Sequence, residues 1–374
     1  MKKINLFLSF ALILVVLGAC KKTSDTPTAT SKTTGERVAE TLEVVTIGDM
    51  VVSNGTNRAI ASDASNNLYV PALDGSAVFK LSKTDGQWAS IGFASGFQQV
   101  TALTCDKAGN VYVLDVSGGA VITKFTPAGA VVYSIGSYSN SSNGFAYTDG
   151  PIATATFYNP QGIAVDNTGD IYVADTYNDV IRKIRAGVVS TFSGLAEFGG
   201  LYSNGAQTHT SYNQPFSICT DGSGNVYVLD FNLVVRKITP AGVASALAGN
   251  AILNNNNTVT KNPGFVNGTG AAAKFSFGIG IGGLTGGVTA DNSGNVFVAD
   301  IGNNVIRRIT SAGVVTTYAG SGAAGSTDGA ALLATFDLPN VIATSTYGIN
   351  DQLFILDSDE MVGLREVLLV PVTL

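Results

Sequence analysis

The sequence predicts an all-β fold assembled from repeated four-stranded units, and three observations carry that reading. Of 374 residues, 44 are glycine and only 13% are charged, while β-branched residues, Tyr and Phe dominate the apolar set. Short strands joined by tight turns have this composition. The stretch Phe157–Gly194 contains four apolar runs, GIAVD, DIYVAD, VIRKI and VVSTFSG, separated by turn residues, as expected of an antiparallel meander. The stretch also recurs: anchored on the Asp that ends the first run, copies begin at Asp63, Asp106, Asp166, Asp221 and Asp291, and a divergent sixth ends at Asp357.

Ahead of the repeats, Lys2 and Lys3 precede an apolar segment from Ile4 to Leu17 and then Leu17-Gly18-Ala19-Cys20. A membrane-spanning helix needs about 20 apolar residues, so residues 1–19 read as a signal peptide. Leu-Gly-Ala-Cys resembles the lipobox of bacterial lipoproteins, which implies cleavage before Cys20 and lipid on that residue. Residues 20–41 are rich in Thr, Ser and Lys without apolar periodicity and read as a disordered tether, with a reach on the order of 25 Å. Lys21, rather than Asp, follows the cysteine, which resembles outer-membrane sorting; either face of that membrane is open. The folded domain is expected over residues 42–374.

Within each copy, the first turn carries residues suited to it. Asn167-Thr168-Gly169 places a glycine where positive φ is needed and an Asn that can bond its own backbone. Ile171–Ala174 is apolar without alternation, which suits a strand covered on both faces. Six such units at this spacing predict a six-bladed β-propeller, in which radial repetition leaves few open edges. The sixth copy supplies strands near Val341–Ser345, Leu353–Asp357 and Val362–Leu369 and no fourth, whereas Leu42–Gly48 resembles the fourth-strand runs GVVSTFSG and GVVTTYAG. The N-terminal strand is therefore expected to complete blade six and remove its free edge.

The run NPQGIAVDNTGDIYVADTYNDVIRKI resembles the NHL repeat. The third and fifth copies match it closely, the second and fourth less well, and the first and sixth diverge. The resemblance covers most of residues 50–370 and implies a six-bladed propeller.

Charge and residue counts exclude several functions. The formal net charge is -6, with no basic stripe, so phosphate neutralisation by Lys and Arg is missing and nucleic-acid binding is set aside. His209 is the single histidine and falls in an insertion, which rules out a multi-histidine zinc site and argues against a Ser-His-Asp triad. The glycine cluster at 278–287 has no following helix pattern and is a weak phosphate signal. Cys105 and Cys219 sit at opposite-facing positions of blades that are not neighbours, and are expected as two free, buried thiols.

Two sets of residues are candidates for a site. Asp115, Asp175, Asp230, Asp300 and Asp357 recur at the end of the second strand, with Ala72 in blade one. A carboxylate ring can hold a cation, but Arg182, Arg236, Arg307 and Arg365 recur with them, so strand-end capping and Asp–Arg pairing is the preferred reading. The residues entering each first strand differ between blades: Arg58, Thr101, Gln161, Phe216, Gly286 and Asn340. This polar and aromatic set at a channel mouth suits a sugar or a peptide end. Solvation of the channel alone is the competing reading. Long segments at 136–159, 194–214, 249–284 and 320–338 are expected on the same face, where binding loops sit. The candidate ligand-binding residues are thus Arg58, Asn159, Gln161, Asn213, Phe216 and Asn340, with Cys20 for lipidation. The expected function is a monomeric cell-envelope binding module for a glycan, peptide or protein partner, without catalytic residues and without a required cofactor. The alternative is a calcium-dependent hydrolase or lyase resembling gluconolactonase, for which the acid-free set of axial entry residues makes a poor cage.

Overall fold

Local hydrogen bonds around the anchor aspartates explain why each copy folds as it does. In blade three the Asp166 carboxylate accepts the backbone N–H of Thr168 at 2.8 Å and of Asp170 at 3.0 Å. Its other oxygen accepts the Tyr172 hydroxyl at 3.1 Å. One carboxylate thus closes the turn and ties it to the second strand. Gly169 sits in this turn at φ +88°. Asp63, Asp106 and Asp221 repeat the arrangement with Tyr69, Tyr112 and Tyr227, and blade five has Phe297 in the tyrosine's place.

The computed structural model describes residues 40–49, 59–72, 74–85, 87–116, 120–137, 147–196, 203–205, 210–253, 259–278, 285–345, 352–357 and 363–371. Cys20 with the signal peptide and residues 21–39 of the expected tether, Arg58, His209 and residues 279–284 lie outside the described residues, whereas residues 40 and 41, expected in the tether, open the first strand. The six antiparallel blades run, first strand to fourth, as follows. Blade one is Ala61–Ser62, Leu68–Pro71, Ala77–Thr84 and Gln87–Ser95. Blade two is Val100–Cys105, Val111–Asp115, Ala120–Phe125 and Val131–Ser137. Blade three is Gly162–Val165, Ile171–Asp175, Val180–Arg185 and Val188–Ser193, and blade four is Ser217–Thr220, Val226–Asp230, Val234–Ile238 and Ala244–Ala248. Blade five is Val288–Ala290, Val296–Asp300, Val305–Ile309 and Val314–Ala319. Blade six is Pro339–Thr344, Leu353–Asp357 and Gly363–Pro371, completed by Glu40–Asp49.

The N-terminal strand closes the ring as expected. It pairs antiparallel with Gly363–Pro371, with Leu42 opposite Leu369, Val44 opposite Val367 and Thr46 opposite Arg365. Val44 is fully buried against blade five. Apolar clusters join every consecutive pair of blades, including blade six to blade one through Phe354, Leu356, Leu68 and Val70. Burial on both faces is the physical reason the second strands lack alternation: Ile171, Tyr172, Val173 and Ala174 are all buried.

Among the described residues, parts of the long segments expected to be binding loops serve as scaffold. Gly150–Pro151 pairs with Val188–Val189, Gly268–Thr269 with Val314–Val315, and Gly329–Ala330 with Glu43–Val44. Each therefore adds a fifth strand to the outer edge of the blade it precedes. In blade four the same edge is covered by a bridge between Gly205 and Ala244.

Candidate functional site

The ring of second-strand aspartates is a set of structural clamps. Asp175 pairs with Arg182 at 2.9 Å, Asp230 with Arg236 at 3.5 Å, Asp300 with Arg307 at 2.7 Å and Asp357 with Arg365 at 3.1 Å. The same carboxylates cap the chain entering their blade, since Asp175 accepts Tyr158 N–H, Asp300 accepts Ser276 N–H and Asp357 accepts Asp337 N–H. In blade two, Asp115 accepts the N–H groups of Gln98 and Gln99. Burial pushes the carboxyls of Asp175 and Asp230 up to about 6, against the pull of Arg182 and Arg236, and that of Asp357 to about 7. Each arginine also reaches outward. Arg182 bonds Asp149 of the fifth-strand segment, Arg307 bonds Asn267 and Arg365 bonds Asp328. The clamp therefore joins second strand, third strand and edge cover, and it engages four of the five carboxylates with arginine.

The axial entry residues do converge. Gln161, Phe216, Gly286 and Asn340, from blades three to six, line one cavity of about 70 Å³ at the mouth of the channel. They are not equally available. Asn340 is buried and accepts the Gly286 N–H at 3.2 Å, bracing blade five to blade six. Phe216 is buried edge-on to Phe231 and Phe277. Thr101 is buried, with its hydroxyl near the Pro160 carbonyl. Gln161 is half-buried, and its amide donates to Asn159 Oδ1 at 3.0 Å. Asn159 holds a left-handed φ of +48°, a conformation Asn tolerates better than most residues. Asn213 does not line the cavity; it is half-buried and donates to Asn232 Oδ1 at 3.2 Å.

The segment entering blade three also carries half of an aromatic pair that the sequence alone did not single out. Tyr158 and Tyr177 meet edge to face with centroids 5.1 Å apart, and Tyr177 is 41% exposed. The signal was available: Tyr158 directly precedes Asn159, and Tyr177 follows the strand-end Asp175 by two residues. Lys261 also reaches the region, with its ammonium 5.0 Å from the Phe231 ring and its pKa lowered by burial.

Below the mouth, Ile60, Leu103, Ile163, Ile218, Val288 and Ile342 each contribute to both the mouth cavity and a second one of about 110 Å³. Five of these residues lie three positions before an anchor aspartate, so the repeat itself builds an apolar collar around the axis. Hydroxyls brace neighbouring blades in the lower cavity, Thr220 donating to the Val165 carbonyl at 3.0 Å and Thr344 to that of Ala290 at 3.3 Å. Cys105 and Cys219 are free, as expected, but they are half-buried and both line this lower cavity. The difference arises because first strands run along the channel, where the end of the strand keeps some access to it. Burial still pushes both thiols well above the ordinary range. Among the described residues no three His, Cys, Asp or Glu side chains converge as a metal cage.

A family profile for the NHL repeat matches residues 157–181. Blade three is an NHL repeat. The chain as a whole is a six-bladed β-propeller. A segment of 95 residues is 35% identical to an NHL repeat-containing protein 2 from Gallus gallus, and the match covers 25% of this chain and 12% of that protein. Two solved structures share the fold. A protein of unknown function from Bacteroides thetaiotaomicron is 20% identical, with a TM-score of 0.62 over 89% of this chain and 77% of its own. An auxiliary nutrient binding protein from Bacteroides ovatus is 16% identical, with a TM-score of 0.62 over 89% and 78%. The fold also carries enzymes: a gluconolactonase from Xanthomonas campestris is 10% identical, with a TM-score of 0.53 over 87% and 89% of the two chains. The propeller thus fixes the scaffold of this chain, and function has to be argued from its own mouth residues.

Proposed function

We propose that this chain is a lipid-anchored envelope protein, held at the outer membrane through Cys20, whose propeller binds the end of a polar ligand at the axial mouth. The observation that carries the reading is the convergence of Gln161, Phe216 and Asn340 from three blades on one cavity, with Asn159 bonded to Gln161 and the exposed Tyr177 packed on Tyr158, the residue before Asn159. Amides donate and accept hydrogen bonds at once, which matches sugar hydroxyls and peptide termini. An exposed tyrosine adds a flat apolar face. The cavity of about 70 Å³ is far below the roughly 300–1,000 Å³ of sites that engulf a small molecule. The mouth therefore grips the tip of a longer glycan or peptide. The nutrient-binding role named for the Bacteroides ovatus neighbour is consistent with this reading.

A thermal-shift screen of residues 36–374 against oligosaccharides and peptides tests it, because a ligand selective for the native state raises the melting temperature. Gln161→Ala and Tyr177→Ala are expected to abolish the shift of a hit without lowering the ligand-free melting temperature by more than a few degrees. Turnover of lactones that a chelator abolishes and calcium restores would overturn the binding-module reading in favour of a metal-dependent hydrolase.

A further inference from the structure

The outer edge of a sheet carries a row of backbone N–H and C=O groups free to pair with another strand, and exposed uncharged edges invite such pairing. This molecule covers the edges of blades three, five and six with short strands of its own chain and that of blade four with a single bridge. Among the described residues, no strand covers blades one and two. Their outer strands, Gln87–Ser95 and Val131–Ser137, contain no charged residue. In blade two, Val131 is 64% and Val132 50% exposed, with Tyr133 beside them. The only cross-edge bond described there is Gly136 N–H to the Ile152 carbonyl, long at 3.4 Å.

The covered blades show what such an edge accepts. In blade three, Asp149 of the cover takes the outward N–H of Thr191 at 3.0 Å and its hydroxyl at 3.1 Å, while Arg182 neutralises the carboxylate. Blade six repeats this socket with Asp328, Thr46 and Arg365. The strand register puts Ser134 of blade two in the place of Thr191, and Thr123 in the place of Arg182. The two hydroxyls are 3.0 Å apart. Blade two has therefore kept the hydroxyl half of the socket and lost the cation, so an acidic residue docked there would have no counter-charge.

We infer that the outer edge of blade two takes a fifth strand from a partner polypeptide other than a second copy of this chain. That strand is an extended, uncharged segment with a neutral hydrogen-bonding residue opposite Ser134 and apolar residues beside Val131 and Val132. Backbone pairing supplies affinity and the cation-free socket supplies selectivity. The test uses the full chain and two synthetic peptides of its own blade-three cover, residues 147–157, one with the native Asp149 and one with Asp149→Asn, measured by fluorescence anisotropy. The Asn form is expected to bind at least about tenfold more tightly than the Asp form. Ser134→Pro, which removes the outward N–H together with the socket hydroxyl and is tolerated at a sheet edge, is expected to abolish binding, as is Val132→Lys. Equal binding of the two peptides, binding unaffected by both substitutions, or none up to about 1 mM would overturn the inference. A wild-type dimer that Val132→Lys dissolves would also overturn it, by showing a second copy of the chain on this edge.

Discussion

Arg307 donates to Asp300 at 2.7 Å, and neither side chain has any exposure to solvent. The same guanidinium reaches Asn267 of the edge cover and the carbonyls of Val266 and Lys274. Removing it leaves a buried carboxylate without its counter-charge and takes one donor from each of three acceptors. Breaking one side of a buried pair typically costs about 3–5 kcal/mol. Arg307→Met is expected to lower stability by that amount in urea unfolding, and Arg307→Met with Asp300→Leu to recover part of the loss.

Ring closure rests on a strand that lies far from its partner in sequence. Val44 is fully buried and Val45, its neighbour, is 36% exposed on the opposite face. Val44→Asp should destabilise by several kcal/mol, because the charge enters an apolar cluster, whereas Val45→Asp should change stability by less than about 0.5 kcal/mol. Equal effects in thermal unfolding would contradict the closure register.

Alkaline pH should unfold this protein earlier than composition suggests. Burial, and the adjoining anchor aspartates, raise the phenols of Tyr69, Tyr112 and Tyr227 far above the ordinary value near 10, and burial pushes Tyr212 up to about 12. Tyr172 is raised as well, and so are both thiols. Above the unfolded-state values, the unfolded chain releases protons that the native state retains, so stability falls with rising pH. The midpoint of urea unfolding is expected to hold steady from pH 7 to about 8 and to drop progressively above about 9. Tyr227→Phe, which removes one such phenol, should lessen the drop while costing about 1 kcal/mol at neutral pH.

The glycine that ends the fourth strand is a steric requirement. Gly320 sits at φ +98°, and a Cβ there would lie 2.7 Å from the Asn304 carbonyl oxygen and 3.0 Å from Val305 Cα. Gly187, in a hairpin turn at φ +79°, has nothing within 4 Å. Gly187→Ala should cost about 1–2 kcal/mol from the backbone conformation alone. Gly320→Ala should cost about 1–3 kcal/mol more, since backbone must move. Matching melting temperatures for the two variants would show that the clash relaxes freely.

Much of this was legible in the chain because repetition converts weak local signals into a pattern. The positions of Asp166, Gly169, Asp175 and Arg182 recur blade after blade, and physical constraints within one meander, the turn and the clamp, account for them without reference to the rest of the molecule. Even closure could be read, since Leu42–Gly48 resembles other fourth strands and the sixth copy lacks one. Other features were not legible because they depend on contacts between blades. Sequence places Gln161, Phe216 and Asn340 at equivalent positions, but only packing shows that Phe216 is core, that Asn340 holds the Gly286 N–H, and that Gln161 keeps partial access to the cavity. The insertions read as loops because two-residue strands such as Gly150–Pro151 have no periodicity of their own; the edge they cover, and the arginine beneath, give them structure. The sequence by itself determined the blade, its count and its closure, all set by local turns and strand patterns. Tertiary structure alone decided which equivalent residues face the channel mouth and which blade edges stay open, because both follow from neighbours remote in sequence.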